Sequence, residues 1–399
     1  MGLSTSVALF FALCAQTPAA TTPNSCVACH AEIAKLEAGR AHAQAEIGCV
    51  ACHGGDSAQA EKDAAHAASA GFSGKLGALA TVELCGNCHA DVARMNPYGL
   101  PTDQLAQYRT SRHGQGLFTD HDESGAICSS CHGAHGILGP KSSESPVHPT
   151  HVAQTCGKCH GDESLMTAHG LAATAPAAYA KSVHAQVLAK GDDSAPQCAT
   201  CHGSHGAIPP GFGSVAAVCG KCHMREKELF QKSPHAPLVE TGDFPGCIVC
   251  HSNHAIQPAE PRIFESVCGL CHGGTPEVLA KRDRIAGALN SSNELLAARE
   301  AELQAAAQHG LASDEDELFL DEARTGLKSA RVLQHSLDPA RVEEVTGEAR
   351  GQLEALRLRL QKERDAQRWK RLALLPVVAF LILMSLGAWV RFRRLHSHA

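Results

Sequence analysis

The stretch Cys128-Ser129-Ser130-Cys131-His132-Gly133-Ala134-His135 decides how the first two thirds of the chain are read. It carries two thiols three residues apart, a histidine directly after the second, and a further histidine three residues on. The 399-residue chain has 19 cysteines, and 18 of them fall into nine C-x-x-C pairs, each followed at once by histidine. Cys14 alone stands outside the pattern.

Working outward, two kinds of element alternate. The first is [Tyr/Phe]-x-x-Ser-x-His followed by C-x-x-C-H-x-x-His. It occurs as Tyr108, Ser111, His113 with Cys128, Cys131, His132, His135; as Tyr179, Ser182, His184 with Cys198, Cys201, His202, His205; and as Phe230, Ser233, His235 with Cys247, Cys250, His251, His254. The second is a plainer C-G-x-C-H: Cys85, Cys88, His89; Cys156, Cys159, His160; Cys219, Cys222, His223; and Cys268, Cys271, His272. A degenerate first copy joins His42 to Cys49, Cys52, His53, and the lone motif Cys26, Cys29, His30 precedes it. The steps from His30 to His42 and His223 to His235 are 12 residues, and those from His89 to His113 and His160 to His184 are 24. Such multiples suggest a helix that carries the second histidine back over the site of the first.

Zinc sites and disulfides do not explain a histidine at one offset nine times. The pattern is that of c-type haem attachment, in which the cysteines form thioethers and the histidine reaches the iron. Nine haem c groups are therefore expected, with His30, His53, His89, His132, His160, His202, His223, His251 and His272 as proximal iron ligands. Composition agrees. With 11 Phe, 3 Tyr and 2 Trp the chain is poor in the side chains that fill an ordinary core, and about 28 residues serve each motif. Macrocycles are expected to form the interior.

A second axial ligand must come from elsewhere. Only Met95, Met166 and Met224 lie in this region, against twelve histidines outside the motifs, so bis-histidine ligation is the economical reading. The distal set is read as His42, His113, His184 and His235 from the Ser-x-His elements, with His135, His205 and His254 from C-H-x-x-His. Gly54, Gly55 and Asp56 follow His53 where a histidine would be expected, and His66 is the substitute. His121, His148, His151 and His169 compete for the ninth place, and His309 and His335 are read as surface residues.

The ends of the chain point to export and anchoring. The short apolar run Val7 to Leu13, followed by small residues, makes residues 1–20 a signal peptide. Leu13 is larger than the small residue a lipidation site at Cys14 would want. Leu372 to Val390 is 19 residues without a charge, flanked by Arg368, Lys370 and Arg371 and by Arg391, Arg393 and Arg394. At ~1.5 Å per residue it reaches ~28 Å, one hydrocarbon thickness. Thioether attachment takes place on the exported side, so the haem domain belongs in the periplasm of a bacterial inner membrane and residues 391–399 form a cytoplasmic tail. A net charge of −6 offers no basic track for nucleic acid.

Between the motifs and the anchor the composition turns to Ala, Leu, Glu and Arg without cysteine. Thr275 with Pro276, Gly310, Ser313, and Asp338 with Pro339 punctuate three helices. The 4-3 spacing of Ile285, Leu289, Ser292, Leu296, Arg299 and Leu303, and of Ala349, Leu353, Leu356 and Leu360, predicts a bundle or coiled-coil pairing. The expected architecture is mainly α with extensive loop: residues 21–275 a nonahaem array, 276–371 a helical stalk, and 372–390 one C-terminal transmembrane helix.

From residue 26 to about 272 the motifs resemble the multihaem c-type cytochromes. The likeness is closest to the bis-histidine electron-transfer group that includes the pentahaem donors of nitrite reductase and the decahaem conduits of metal-reducing bacteria. The resemblance implies haem pairs in parallel and perpendicular arrangements, helical and loop polypeptide, and electron transfer as the role; the leading reading is a membrane-anchored carrier between a quinol-oxidising membrane subunit and a periplasmic or outer-membrane redox protein. The alternative is a multihaem reductase of a small nitrogen or sulfur oxyanion, with one iron left open at His30, His53 or His89.

Overall fold

A computed structural model describes residues 24–210, 212–258 and 262–396. The expected signal peptide, Cys14 and the last three residues of the expected tail lie outside the described residues. The chain is mainly helical, 68%, with no strand among the described residues. It divides into two compact units, Met1–Pro176 with Leu188–Ile208, and Ala177–Val187 with Pro209–Ala399.

In the first unit the helices are short and set by the motifs. A C-x-x-C-H segment in helical form places i, i+3 and i+4 on one face, so both thiols and the imidazole point the same way. The plain motifs close longer helices, Ala78–His89 and Pro149–His160, whereas the others occupy single turns, Cys49–His53, Cys128–His132 and Cys198–His202. Those single turns stop because the next residue adopts a left-handed φ, +81° at Gly133 and +85° at Gly203, where only glycine is unstrained. Apolar packing is sparse; a cluster of Val82, Tyr108 and Leu117 is its main knot.

The second unit holds Cys247–His251 as another single turn, Arg262–His272 ending in a plain motif, and the stalk. Three stalk helices span Pro276–Gln308, Asp314–Leu333 and Pro339–His396. Ser313 caps the second, its side chain accepting from the Asp316 N–H while the Asp316 carboxylate accepts from the Ser313 N–H. The first and third helices run parallel and the second antiparallel to both. Near the end that follows the motifs, Ile285 and Leu289 pack with Ala330, Leu333 and Val342; farther along, Leu303 and Leu320 pack with Leu353, Leu356 and Leu360. Leu353, Leu356 and Leu360 are wholly buried, each contributing about 1.5–3 kcal/mol on burial. Arg324 pairs with Glu300 and Asp321, and Arg359 with Glu315 and Asp316, along the seams.

The third stalk helix continues without a break through the uncharged stretch, Pro376 included. It is the one helix among the described residues long and apolar enough to cross a membrane, and its apolar stretch is not buried against protein.

Candidate functional site

All eighteen motif cysteines are free of disulfides. Consecutive motifs place their thiols together: Cys26 beside Cys49, Cys52 beside Cys88, Cys85 beside Cys128, Cys131 beside Cys159, and Cys156 beside Cys198 in the first unit. In the second unit Cys219 meets Cys247, and Cys250 lies near Cys268 and Cys271. The contact with Cys128, reinforced by burial, pushes the Cys85 thiol up, and the same holds for Cys156 with Cys198. The motif thiols thus follow one another as near neighbours within each unit.

Opposite the motifs stand histidine partners. An iron bound to two imidazole nitrogens at about 2 Å each separates the ring centres by about 6 Å. Ring-centre distances are 6.2 Å for His30 and His66, 6.0 Å for His53 and His135, and 6.2 Å for His89 and His42. They are 6.0 Å for His132 and His205 and 6.0 Å for His160 and His113. In the second unit they are 6.4 Å for His223 and His184, 6.0 Å for His272 and His235, and 6.1 Å for His251 and His335. Eight motif histidines therefore each face a second imidazole at the separation that one iron requires. The donor set and the spacing fit haem.

Local structure explains the recurring residues. Ser111 caps the helix Arg112–Phe118: its Oγ accepts from the Gly114 N–H at 2.9 Å and donates to the Tyr108 carbonyl at 2.6 Å. A Cβ at Gly114 would lie 1.9 Å from that carbonyl oxygen, so the turn bearing His113 admits only glycine there. Ser182 accepts in the same way from the Ala185 N–H. The buried Tyr108 hydroxyl donates to the Ala126 carbonyl, tying the Ser-x-His element to the approach of its own C-x-x-C-H. A second tie recurs three times: the N–H preceding the histidine, in Ala41, Arg112 and Val183, donates to the carbonyl two residues beyond a C-H-x-x-His histidine, in Ile137, Ala207 and Ile256.

Burial pushes the His113, His132, His160, His184, His235 and His251 imidazoles down, and neighbouring rings add to it. The neutral ring is the form that ligates a metal. His53 Nδ1 lies 2.9 Å from the Gly74 carbonyl and His66 Nδ1 2.9 Å from the Lys62 carbonyl. An Nδ1–H donated there turns Nε2 toward the partner ring.

Three expectations change. The 12- and 24-residue steps do not mark partners: His42 faces His89 rather than His30, His113 faces His160, and His184 faces His223, because each Ser-x-His histidine reaches forward across the intervening C-x-x-C-H. His335 is not a free surface residue; it faces His251. Among the described residues, none of the four competitors for the ninth place makes a ring contact with a motif histidine. His148 and His151 stand 5.9 Å from each other, His169 contacts Ser124 and Asp122, and His121 sits in a turn at φ +55°. His202 ends its turn with Nδ1 3.2 Å from the Ile208 carbonyl, and His254 lies in the loop that carries Ile256.

No family model matches this chain, and neither a curated protein nor a solved structure matches it.

Proposed function

We propose that this chain is a membrane-anchored nonahaem c-type cytochrome that carries electrons, its haem domain on the periplasmic side of a bacterial inner membrane. The observation that supports the reading is the set of eight facing histidine pairs at 6.0–6.4 Å, each beside a C-x-x-C pair. Bound haem iron supplies one-electron redox chemistry at a potential set by its axial ligands and surroundings. The cysteines hold the macrocycle covalently, so a chain with little apolar surface retains it. The facing imidazoles would both ligate the bound iron, which would leave no place for a substrate there. Thiols of successive motifs lie near one another within each unit, in contact at Cys85 and Cys128, Cys156 and Cys198, and Cys219 and Cys247, which would hold neighbouring groups close enough to exchange electrons.

The partners proposed are a quinol-oxidising membrane subunit and a periplasmic or outer-membrane redox protein. The third stalk helix runs 33 residues from Pro339 before Leu372, about 50 Å at ~1.5 Å per residue. A membrane donor must therefore rise from the bilayer to meet the haem-side end of the stalk. The oxyanion-reductase reading finds no supporting geometry: His30, His53 and His89, its candidates for an open iron, face His66, His135 and His42.

The test is an adduct count and a spin count. Mass spectrometry of the membrane-extracted chain is expected to show nine porphyrin adducts, and electron paramagnetic resonance of the oxidised protein low-spin iron with no response to nitrite or carbon monoxide. A chain without adducts would sink the proposal. A high-spin iron that turns over nitrite would replace it with the reductase.

A further inference from the structure

We infer that His335, on the turn between the second and third stalk helices, is the distal axial ligand of the haem attached at Cys247, Cys250 and His251. The inference rests on the proposed function and adds the ligand that the repeat itself does not supply.

The ring separation repeats that of the other pairs, and the ring tilt repeats that of two of them. The ring centres of His251 and His335 are 6.1 Å apart with planes 21° from parallel, against 6.0 Å and 22° for His53 and His135, and 6.0 Å and 23° for His235 and His272. His335 Nδ1 lies 2.9 Å from the Val332 carbonyl, the same kind of bond that orients His53 and His66. It leaves Nε2 facing His251 as a metal ligand requires.

The turn is held in place from both sides. It is a 3-10 segment, Gln334–Ser336, whose buried Ser336 hydroxyl donates to the Leu333 carbonyl at 2.8 Å. Leu337 follows at φ +55°, a left-handed conformation that an L side chain adopts only where its surroundings impose it. Leu229 and Phe264, from the haem-side helices Met224–Phe230 and Arg262–His272, share one buried cluster with Ile285, Leu333 and Val342 of the stalk. That shared cluster sets the distance between the two imidazoles.

The repeat explains why a stalk residue is needed. His53 and His132, each in a C-H-x-x-His or equivalent motif, are faced by the histidine of the next such motif, His135 and His205. His251 belongs to the last motif of this kind, so no successor exists. His335 takes the place, and the stalk becomes part of the redox domain as well as a support for it.

The test uses full-length protein extracted from membranes, as wild type, His335→Ala, and His309→Ala as the control stalk histidine. Adducts are counted first, and their absence from every chain overturns both the proposed function and this inference. With nine adducts in place, His335→Ala is expected to convert about one ninth of the iron to high spin and to bind carbon monoxide at one haem per chain. Added imidazole is expected to restore low spin, and His309→Ala to remain as wild type. Wholly low-spin iron in His335→Ala, or an equal change in His309→Ala, overturns the assignment and leaves the electron-carrier reading standing. Should His335→Ala fail to accumulate, His335→Met decides: one haem per chain is expected to gain the near-infrared sulfur-to-iron band and a raised potential. A spectrum without that band overturns the assignment.

Discussion

The motif-bearing region and the stalk are both helical, yet they are held together differently. Among the described residues, buried hydrophobic side chains number eleven before Pro276 and sixteen in the far shorter stalk between Ile285 and Leu360. Leu353, Leu356 and Leu360 interlock with Leu303 and Leu320, whereas the motif helices of the first unit gather around little more than Val82, Tyr108 and Leu117. Helices of five to seven residues do not persist on propensity alone. The difference teaches that the stalk's stability resides in its own side chains, and that the motif region has few of its own and would gain from something bulky and apolar attached to its cysteines. Haem, as proposed, would be that material.

The largest effect should come from withholding it. Full-length protein produced in cells that cannot form the thioether bonds is expected to lose residues 24–275 to limited proteolysis while the stalk survives, as mapped by mass spectrometry of the fragments. Equal resistance of both regions would break the contrast. Next comes Leu353→Ala, which opens a cavity in the stalk and should cost about 2–5 kcal/mol. Helix unfolding followed by circular dichroism should report the loss, with haem absorbance below the transition unchanged; a shifted haem spectrum would mean that the two regions are not separately stabilised.

Ser111→Ala removes the cap under His113 and should cost about 1 kcal/mol, read as faster loss of low-spin signal on heating, since on the proposed reading the cap orients a distal histidine. The smallest effect is electrostatic. Burial pushes the Asp316 carboxyl up, but hydrogen bonds from Ser313 and Arg359 outweigh it and hold the group below its ordinary value of 3.8. A depressed folded value means that the stabilisation is present above pH 3.8 and fades as pH falls through the folded value. Asp316→Asn should flatten that acid limb of stalk unfolding and leave the haem signals alone; an unchanged limb would assign it to other carboxylates.

Much of this was legible from residue order. The nine motifs, their two alternating kinds and the three stalk helices with their punctuation follow from local rules, because thiol spacing, capping residues and a 4-3 repeat act over a few residues. The apolar stretch from Leu372 is equally local. The partners of the motif histidines were less so. His42, His113 and His184 were recognisable as candidates, since they recur, but the short steps in sequence pointed to the wrong neighbours. The true partners lie 39 to 47 residues downstream, across an intervening motif, and nothing local encodes that reach.

By itself the sequence determined which residues recur in the motifs and which segments are helical, because both depend on side-chain identity at fixed short offsets. Only the tertiary structure decided which imidazole faces which. That choice depends on where backbone ties such as Arg112 to Ala207 and clusters such as Leu229, Phe264 and Leu333 bring distant segments together. His335 shows the division most clearly. As a residue type in a stalk it is unremarked, and it acquires a partner because the buried cluster beneath it holds the turn at 6.1 Å from the ring of His251.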